Sequence, residues 1–206
     1  MKLFLTVMII FLITIPLYAG DIYITNSMPV TDGADISSFQ ATTVNVKWFS
    51  DTANMGQQFT TGSKGGILNG FAFQLHTTSD PVISQRTFNI RVVSFSGSDT
   101  TTISNETGLV QSTSQNWSAG DWMVFTFASP VILEANTLYG VDGQMTSGDW
   151  HSGIPYLRRP GNVYSDGQRY DRVDGDPITA TVRTDDLNFH IDIDLSPPSG
   201  SIFIFY

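Results

Sequence analysis

Residues 187–195 read Leu-Asn-Phe-His-Ile-Asp-Ile-Asp-Leu, with an apolar side chain at every odd position and a polar one at every even position. Because successive side chains of a β-strand point to opposite faces, this alternation predicts a strand with one face in a core and the other in water. The same period of two recurs along the chain, most clearly in residues 67–75, 88–92 and 122–133. In the last of these, one face is formed by Met123, Phe125, Phe127, Val131 and Leu133.

Turn-forming residues separate these stretches and predict how the strands are connected. Runs such as Gly62-Ser-Lys-Gly-Gly66 and Ser79-Asp-Pro81 fall between apolar segments, and helical periodicity is nearly absent after residue 19. Many short strands without intervening helices indicate a sandwich or a barrel. We predict an all-β fold over residues 20–195, a two-sheet antiparallel sandwich of jelly-roll or Greek-key type. Segment 143–178 has weak strand character and is expected to form long loops at one end of the sandwich.

The N-terminus has the layout of a signal peptide. Lys2 precedes an apolar run over residues 3–15, Pro16 breaks it, and Ala19 precedes a polar segment. The run is shorter than the roughly 20 residues that cross a bilayer as a helix, so a membrane anchor is the weaker interpretation. We therefore expect residues 1–19 to be removed. The mature protein is then secreted or displayed at the cell surface, without a transmembrane segment. Residues 196–206 are expected to form a short linker and an apolar tail.

The composition restricts the partners of the domain. The chain carries ten basic and nineteen acidic residues, a net charge of −9, which disfavours nucleic acid and anionic lipid as partners. It contains no cysteine, so an exported domain of this sequence depends on its core rather than on disulfides. That combination favours a bacterial origin.

Several stretches resemble a known group of exported bacterial domains. Gln57-Gln-Phe-Thr-Thr-Gly62 with residues 66–75, the stretch Phe125–Gly140, Tyr164-Ser-Asp-Gly167 and Asp186-Leu-Asn-Phe189 are similar to motifs of "choice-of-anchor" jelly-roll domains. These domains occur in surface proteins sorted by an exosortase. The resemblance covers about residues 55–193 and implies a β-sandwich at the cell surface or in the matrix, with no activity to transfer. The usual sorting tail, a Val-Pro-Glu-Pro motif before an apolar helix and basic residues, is missing after Leu195.

Aromatic and guanidinium groups are concentrated in segment 143–178. Exposed rings stack on sugar faces and Arg can donate two parallel hydrogen bonds, so this segment is the candidate site for an extracellular glycan. The competing interpretation is that the rings plug one end of the core and the arginines pair with nearby aspartates. The candidate ligand-binding residues are Trp150, Tyr156, Arg158, Arg159, Tyr164 and Tyr170.

Other chemistry has weaker support in the sequence. No cofactor is required by any motif, although an acidic turn containing Asp171, Asp174 and Asp176 has the oxygen-rich character of a calcium site. His190 is expected to be solvated near carboxylates rather than to bind metal. Asp192 and Asp194 lie on one strand face at a separation that would suit a glycosidase, although the alternation of the strand alone produces that separation. We predict a non-catalytic surface domain, and the alternative is an exported enzyme acting on polysaccharide through surface carboxylates.

Overall fold

The computed structural model describes residues 20–29, 35–39, 46–48, 53–76, 87–110, 117–147, 155–173 and 179–195. Every regular element in these ranges is a β-strand, which confirms the predicted all-β class. Over the same ranges, no helix has the length and apolarity needed to cross a membrane. The predicted signal peptide (1–19) and tail (196–206) lie outside the described residues.

The described ranges contain fourteen strands. They are β1 (Asp21–Thr25), β2 (Ile36–Ser38), β3 (Val46–Trp48), β4 (Ala53–Thr60), β5 (Gly66–Gln74), β6 (Thr87–Ser96), β7 (Asp99–Val110), β8 (Trp122–Leu133), β9 (Leu138–Ser147), β10 (Pro155–Pro160), β11 (Arg169–Val173), β12 (Thr179–Val182), β13 (Asp185–Leu187) and β14 (Phe189–Asp194).

Two antiparallel sheets form the body of the domain. One has the order β1-β8-β5-β14-β2, and the other contains β11, β12, β7, β6, β9 and β4. The pairs β4–β9, β5–β8 and β6–β7 are nested in the chain, which is the wiring of a jelly roll. The predicted antiparallel sandwich is confirmed. A third sheet, β13-β10-β3, is connected to β5 through a bridge between Leu75 and Tyr156.

The core lies between the two large sheets and is rich in phenylalanine. Phe125 of β8 stacks on Phe71 of β5 with ring centroids 4.8 Å apart, and Phe88 of the opposite sheet meets it edge-on at 5.7 Å. All three rings are buried, and each buried Phe contributes about 1.5–3 kcal/mol through the hydrophobic effect. The face predicted for residues 122–133 is confirmed, because Met123, Phe125, Phe127, Val131 and Leu133 are all in this core.

The six-stranded sheet curls until its edge strands meet. Thr179 of β12 pairs with Asp99 of β7, which closes the sheet into a small barrel. The ring of Tyr170 fills part of its interior and approaches two glycines. A Cβ at Gly56 or at Gly140 would lie 2.5 or 2.7 Å from atoms of that ring, so a larger residue at either position would clash. Close packing around Tyr170 therefore explains why both positions are occupied by glycine.

A buried carboxylate organises the polar part of this interior. Asp142 is fully buried and accepts hydrogen bonds from Arg91 Nε at 2.7 Å, Tyr170 Oη at 2.9 Å and Arg172 Nη1 at 3.3 Å. Burial, together with the Asp142 carboxylate, raises the pKa of Tyr170 well above its ordinary value, so the phenol stays protonated. Arg91 and Arg172 are themselves buried, so Asp142 neutralises charge that water cannot reach.

Segment 143–178 departs from the sequence prediction. It was expected to form long loops, but it contains the end of β9 and the whole of β10 and β11. The alternation was hidden because charged residues of these strands, such as Arg159, Arg169 and Arg172, are buried. A pattern that counts charge as exposed therefore misses strands whose arginines are paired inside.

The 187–195 stretch also differs from its prediction. It is not one strand, since β13 and β14 separate at Asn188 and join different sheets. His190 was expected to be solvated, yet it is 1% exposed because β2 and Asp35 cover this face of β14. Its Nε2 lies 3.9 Å from Asp35 Oδ2, and burial lowers the pKa of His190 despite the nearby carboxylates of Asp35 and Asp192.

Candidate functional site

Two cavities are each lined in part by one connection, the 161–168 loop between β10 and β11. The first, the Tyr164 groove, is an open cleft of about 550 Å³ whose polar walls include Ser37, Thr60, Thr61, Lys64, Tyr164 and Asp166. The second, the arginine pocket, has a volume of about 320 Å³ and contains Arg158, Arg169 and Arg183. Tyr164 lines the first cavity and Gly161 lines the second, so residues only three positions apart in the sequence contribute to different cavities.

Buried polar groups hold the 161–168 loop in place. The Asp186 carboxylate accepts the backbone N–H groups of Val163 at 2.7 Å and Tyr164 at 2.9 Å through the same oxygen. Gln57 donates to the other oxygen of Asp186 at 3.2 Å. Asp186 and Gln57 are fully buried, so hydrogen bonds from the protein interior hold the loop in place without a ligand. Such preorganisation reduces the entropy cost of binding.

Tyr164 offers the Tyr164 groove both a ring and a hydroxyl. Its ring is half-buried and packs edge-on against Phe189 with centroids 5.2 Å apart. The phenol oxygen accepts the N–H of Thr60 at 3.4 Å, which leaves the phenol proton free to be donated. Burial raises the pKa of Tyr164, so that proton is retained at neutral pH. A rigid ring beside hydroxyl and charged groups suits the apolar face and the hydroxyls of a sugar.

The arginine pocket is built on an alternating chain of five charges. Arg158 Nη1 pairs with Asp185 Oδ2, and Arg169 Nε donates to Asp185 Oδ1 at 2.8 Å. Arg169 Nη1 then pairs with Asp171 Oδ1, and Arg183 Nη2 lies 2.7 Å from Asp171 Oδ2. Guanidinium groups therefore occupy both ends and the middle of the chain. Three cations face two anions, on a molecule with an overall charge of −9.

The structure divides the six residues predicted to bind ligand. Arg158 lines the arginine pocket and Tyr164 lines the Tyr164 groove, so these two reach cavities. Arg159 is buried opposite Asp186 in the pairing of β10 with β13. Trp150 lies outside the described residues.

The prediction that Tyr156 and Tyr170 present exposed rings is wrong. Both side chains are fully buried. Tyr156 donates to the sulfur of Met123 at 3.1 Å, and Tyr170 donates to Asp142. Each hydroxyl has a partner within the protein, which lets these tyrosines serve as core residues. The interpretation that some rings of this segment plug the fold is correct for these two.

The predicted calcium site does not fit Asp171. Both of its carboxylate oxygens are engaged by guanidinium groups, Oδ1 by Arg169 and Oδ2 by Arg183, and a cation there would meet two like charges. Asp174 and Asp176 lie outside the described residues, so their part of the prediction stays a prediction. Among the residues that are described, no cluster of three or more His, Asp or Glu side chains is arranged to hold a metal ion.

Asp192 and Asp194, the carboxylate pair considered for a glycosidase, share one hydrogen-bond donor. Asn69 Nδ2 donates to Asp194 Oδ2 at 2.9 Å and lies 3.4 Å from Asp192 Oδ1, so one amide bridges both side chains. Burial raises the pKa of Asp192. Of the two cavities, the Tyr164 groove is bordered by a different pair, Asp35 and Asp166.

The sequence interpretation missed Arg169 and Arg183. They are fourteen positions apart and meet because β11 and β12 pair, with the N–H of Arg183 donating to the carbonyl of Arg169 at 2.8 Å. The available signal was the pattern of opposite charges, Arg169-x-Asp171 followed by Arg183-x-Asp185. In both stretches of sequence, an arginine stands two residues before an aspartate.

Comparisons of the chain with protein-family profiles, with curated proteins and with solved structures found no match. The resemblance to choice-of-anchor domains therefore stays a prediction.

Proposed function

We propose that the chain is exported with loss of residues 1–19 and that its sandwich is a non-catalytic extracellular or cell-surface domain that binds carbohydrate at the Tyr164 groove. The export pattern at the N-terminus supports the location, and the resemblance to choice-of-anchor domains is consistent with it. Intact-mass analysis of protein recovered outside the cell tests the first part. Material that retains Met1 would contradict it.

One observation carries the binding proposal: Tyr164 presents a half-buried ring and a free phenol proton to an open cleft of about 550 Å³. Ligand sites of proteins combine such an apolar surface with a few well-placed polar groups. The hydroxyl of Thr60 and the charges of Lys64 and Asp166 are those groups. Because Asp186 fixes the backbone of Tyr164, the ring needs little rearrangement to accept a sugar.

The experiment is a glycan-array screen of the mature protein, followed by titration of the retained glycan. Tyr164→Ala is expected to weaken binding about tenfold or more, because it removes the stacking surface. Tyr164→Phe, which keeps the ring, is expected to lose less. Tyr23→Ala is the matched control, since Tyr23 is an exposed tyrosine of β1 that does not line the groove. Equal binding by the Tyr164→Ala and Tyr23→Ala variants would refute the site, and no retained glycan would refute the function.

The enzymatic alternative has one specific observation in its favour. Asp35 and Asp166 border the same groove, and glycosidases use two carboxylates that flank the bound sugar. Asp35 is anchored by the N–H of Ile193 at 2.8 Å, whereas Asp166 is exposed. Any glycan that binds should therefore also be assayed for release of reducing ends. Release that stops in Asp166→Asn while binding persists would establish the enzyme and overturn the non-catalytic proposal.

A further inference from the structure

The arginine pocket has a cationic excess that its own residues do not neutralise. Each oxygen of Asp171 and Asp185 already accepts from, or pairs with, a guanidinium group, and three arginines share these two carboxylates. Both aspartates and Arg169 are buried, so water reaches this cluster only where the side chains of Arg158 and Arg183 are exposed. One positive charge is therefore left to be balanced at the wall of the cavity.

Hydrogen-bond donors remain available beside that charge. The side chain of Arg169 is only 4% exposed, yet it lines the cavity, and its Nη2 donates to no described residue. Arg158 Nε is buried and has no hydrogen-bond partner among the described residues. Arg183 stands at the mouth with nearly half of its side chain exposed. The pocket thus combines a net positive charge with unused guanidinium N–H donors, and ion pairs to buried aspartates hold these arginines in place.

We propose that the arginine pocket binds the carboxylate of a ligand. A guanidinium group donates two parallel hydrogen bonds that match the spacing of carboxylate oxygens. One excess positive charge matches a monoanion rather than a phosphate dianion. The volume of about 320 Å³ is at the lower end of the range for small-molecule sites, which suits one sugar-sized group. The space beside Gly161, which lines the pocket, is open, because a Cβ there would meet no atom within 4 Å.

The identity of the ligand rests on the proposed function. If the Tyr164 groove binds glycan, the adjacent carboxylate belongs to a uronic acid residue of an acidic polysaccharide, and the 161–168 loop is shared by neighbouring sugars. The overall charge of −9 opposes an acidic polymer. Surface charges farther than about 8 Å are screened at physiological salt, while contacts inside the pocket are not. For a short acidic oligosaccharide, the contacts inside the pocket therefore outweigh the repulsion by the overall charge of the protein.

The test compares glucuronate with glucose, which differ in carrying a carboxylate or a CH₂OH group at C6, by NMR titration of the full mature chain. Acetate and inorganic sulfate are titrated in parallel. Glucuronate is expected to bind at least about tenfold more tightly than glucose, and Arg183→Gln is expected to remove most of that preference. Arg158→Gln should have a similar effect. Asp99→Asn is the control, since it changes the charge of an exposed residue that lines neither cavity and should leave the preference unchanged. The melting temperature of each variant shows that it is folded.

The outcomes separate the two proposals. Equal binding of glucuronate and glucose, or an equal loss of the preference in Asp99→Asn, would overturn the carboxylate site even if neutral glycans bind at Tyr164. Tighter binding of sulfate than of either carboxylate would also overturn it. Acetate binding that disappears in Arg183→Gln, with no glycan retained, would support the carboxylate site and refute the proposed function.

Discussion

Replacing Asp142 by asparagine is expected to be among the most damaging single changes in the protein. The side chain is fully buried and receives hydrogen bonds from Arg91, Arg172 and Tyr170. The asparagine amide keeps one acceptor oxygen but carries no charge, so two buried guanidinium groups lose their shared counterion. Removing one partner of a buried ion pair costs about 3–5 kcal/mol. Tyr170→Phe is the control within the same network. It removes one hydrogen bond to a charged group and leaves both ion pairs, at a cost of about 1.5–3 kcal/mol.

Urea denaturation at pH 7 measures both variants. With a denaturant slope of about 2 kcal/mol per molar urea, Asp142→Asn should lower the midpoint by about 1.5–2.5 M. Tyr170→Phe should lower it by about 0.7–1.5 M. If Asp142→Asn costs less than about 1 kcal/mol, or less than Tyr170→Phe, the two arginines are not held in a water-free interior and the account of the small barrel fails.

Three further predictions concern packing and pH. Phe125→Ala should cost about 3–5 kcal/mol by urea denaturation, whereas Ile132→Ala on the same strand, 78% exposed, should cost less than about 0.5 kcal/mol; similar losses would mean that the faces of β8 are misassigned. Gly56→Ala should cost at least about 1–3 kcal/mol, because its Cβ would meet a carbonyl oxygen and a tyrosine ring, while Gly62→Ala, with open space around it, should be nearly neutral in thermal melts. The folded-state pKa of His190 is lowered, so the free energy of unfolding should be highest above the unfolded value of about 6.5 and fall as the pH drops below it. A His190→Gln variant that keeps the same slope between pH 7.5 and 5.5 would contradict this assignment.

Period-two alternation predicted the strands in which apolar and polar residues separate cleanly. In β8, Met123, Phe125 and Phe127 face the core as expected, because apolar burial alone decides that face. Strands β10 and β11 could not be found in this way. Arg172 is buried against Asp142, 30 positions away, and Arg159 is buried where β10 pairs with β13. A local pattern contains neither the distant aspartate nor the pairing strand.

The candidate site was predictable only in part, for a related reason. Arg158 and Tyr164 were singled out because they belong to a chain segment dense in aromatic and guanidinium groups. The same criterion also selected Tyr156 and Tyr170, since composition does not distinguish a ring on the surface from one in the core. Burial is set by the pairing of β10 and β11 with strands elsewhere in the chain. The sequence therefore located the region but could not separate its inward from its outward side chains.

The buried arginines also determine how a protease meets this protein. Trypsin cleaves after lysine and arginine, and Arg91, Arg159, Arg169 and Arg172, four of the ten basic residues, are buried in strands. Arg159 is in addition followed by Pro160, which blocks cleavage. Trypsin reaches the other three sites only in molecules that have opened, so the rate of digestion there follows the open population when opening and closing are fast. Cleavage after Arg91, Arg169 and Arg172 is thus a reporter of the folded state of this domain, whereas Lys64 and Arg183 are exposed in the folded protein.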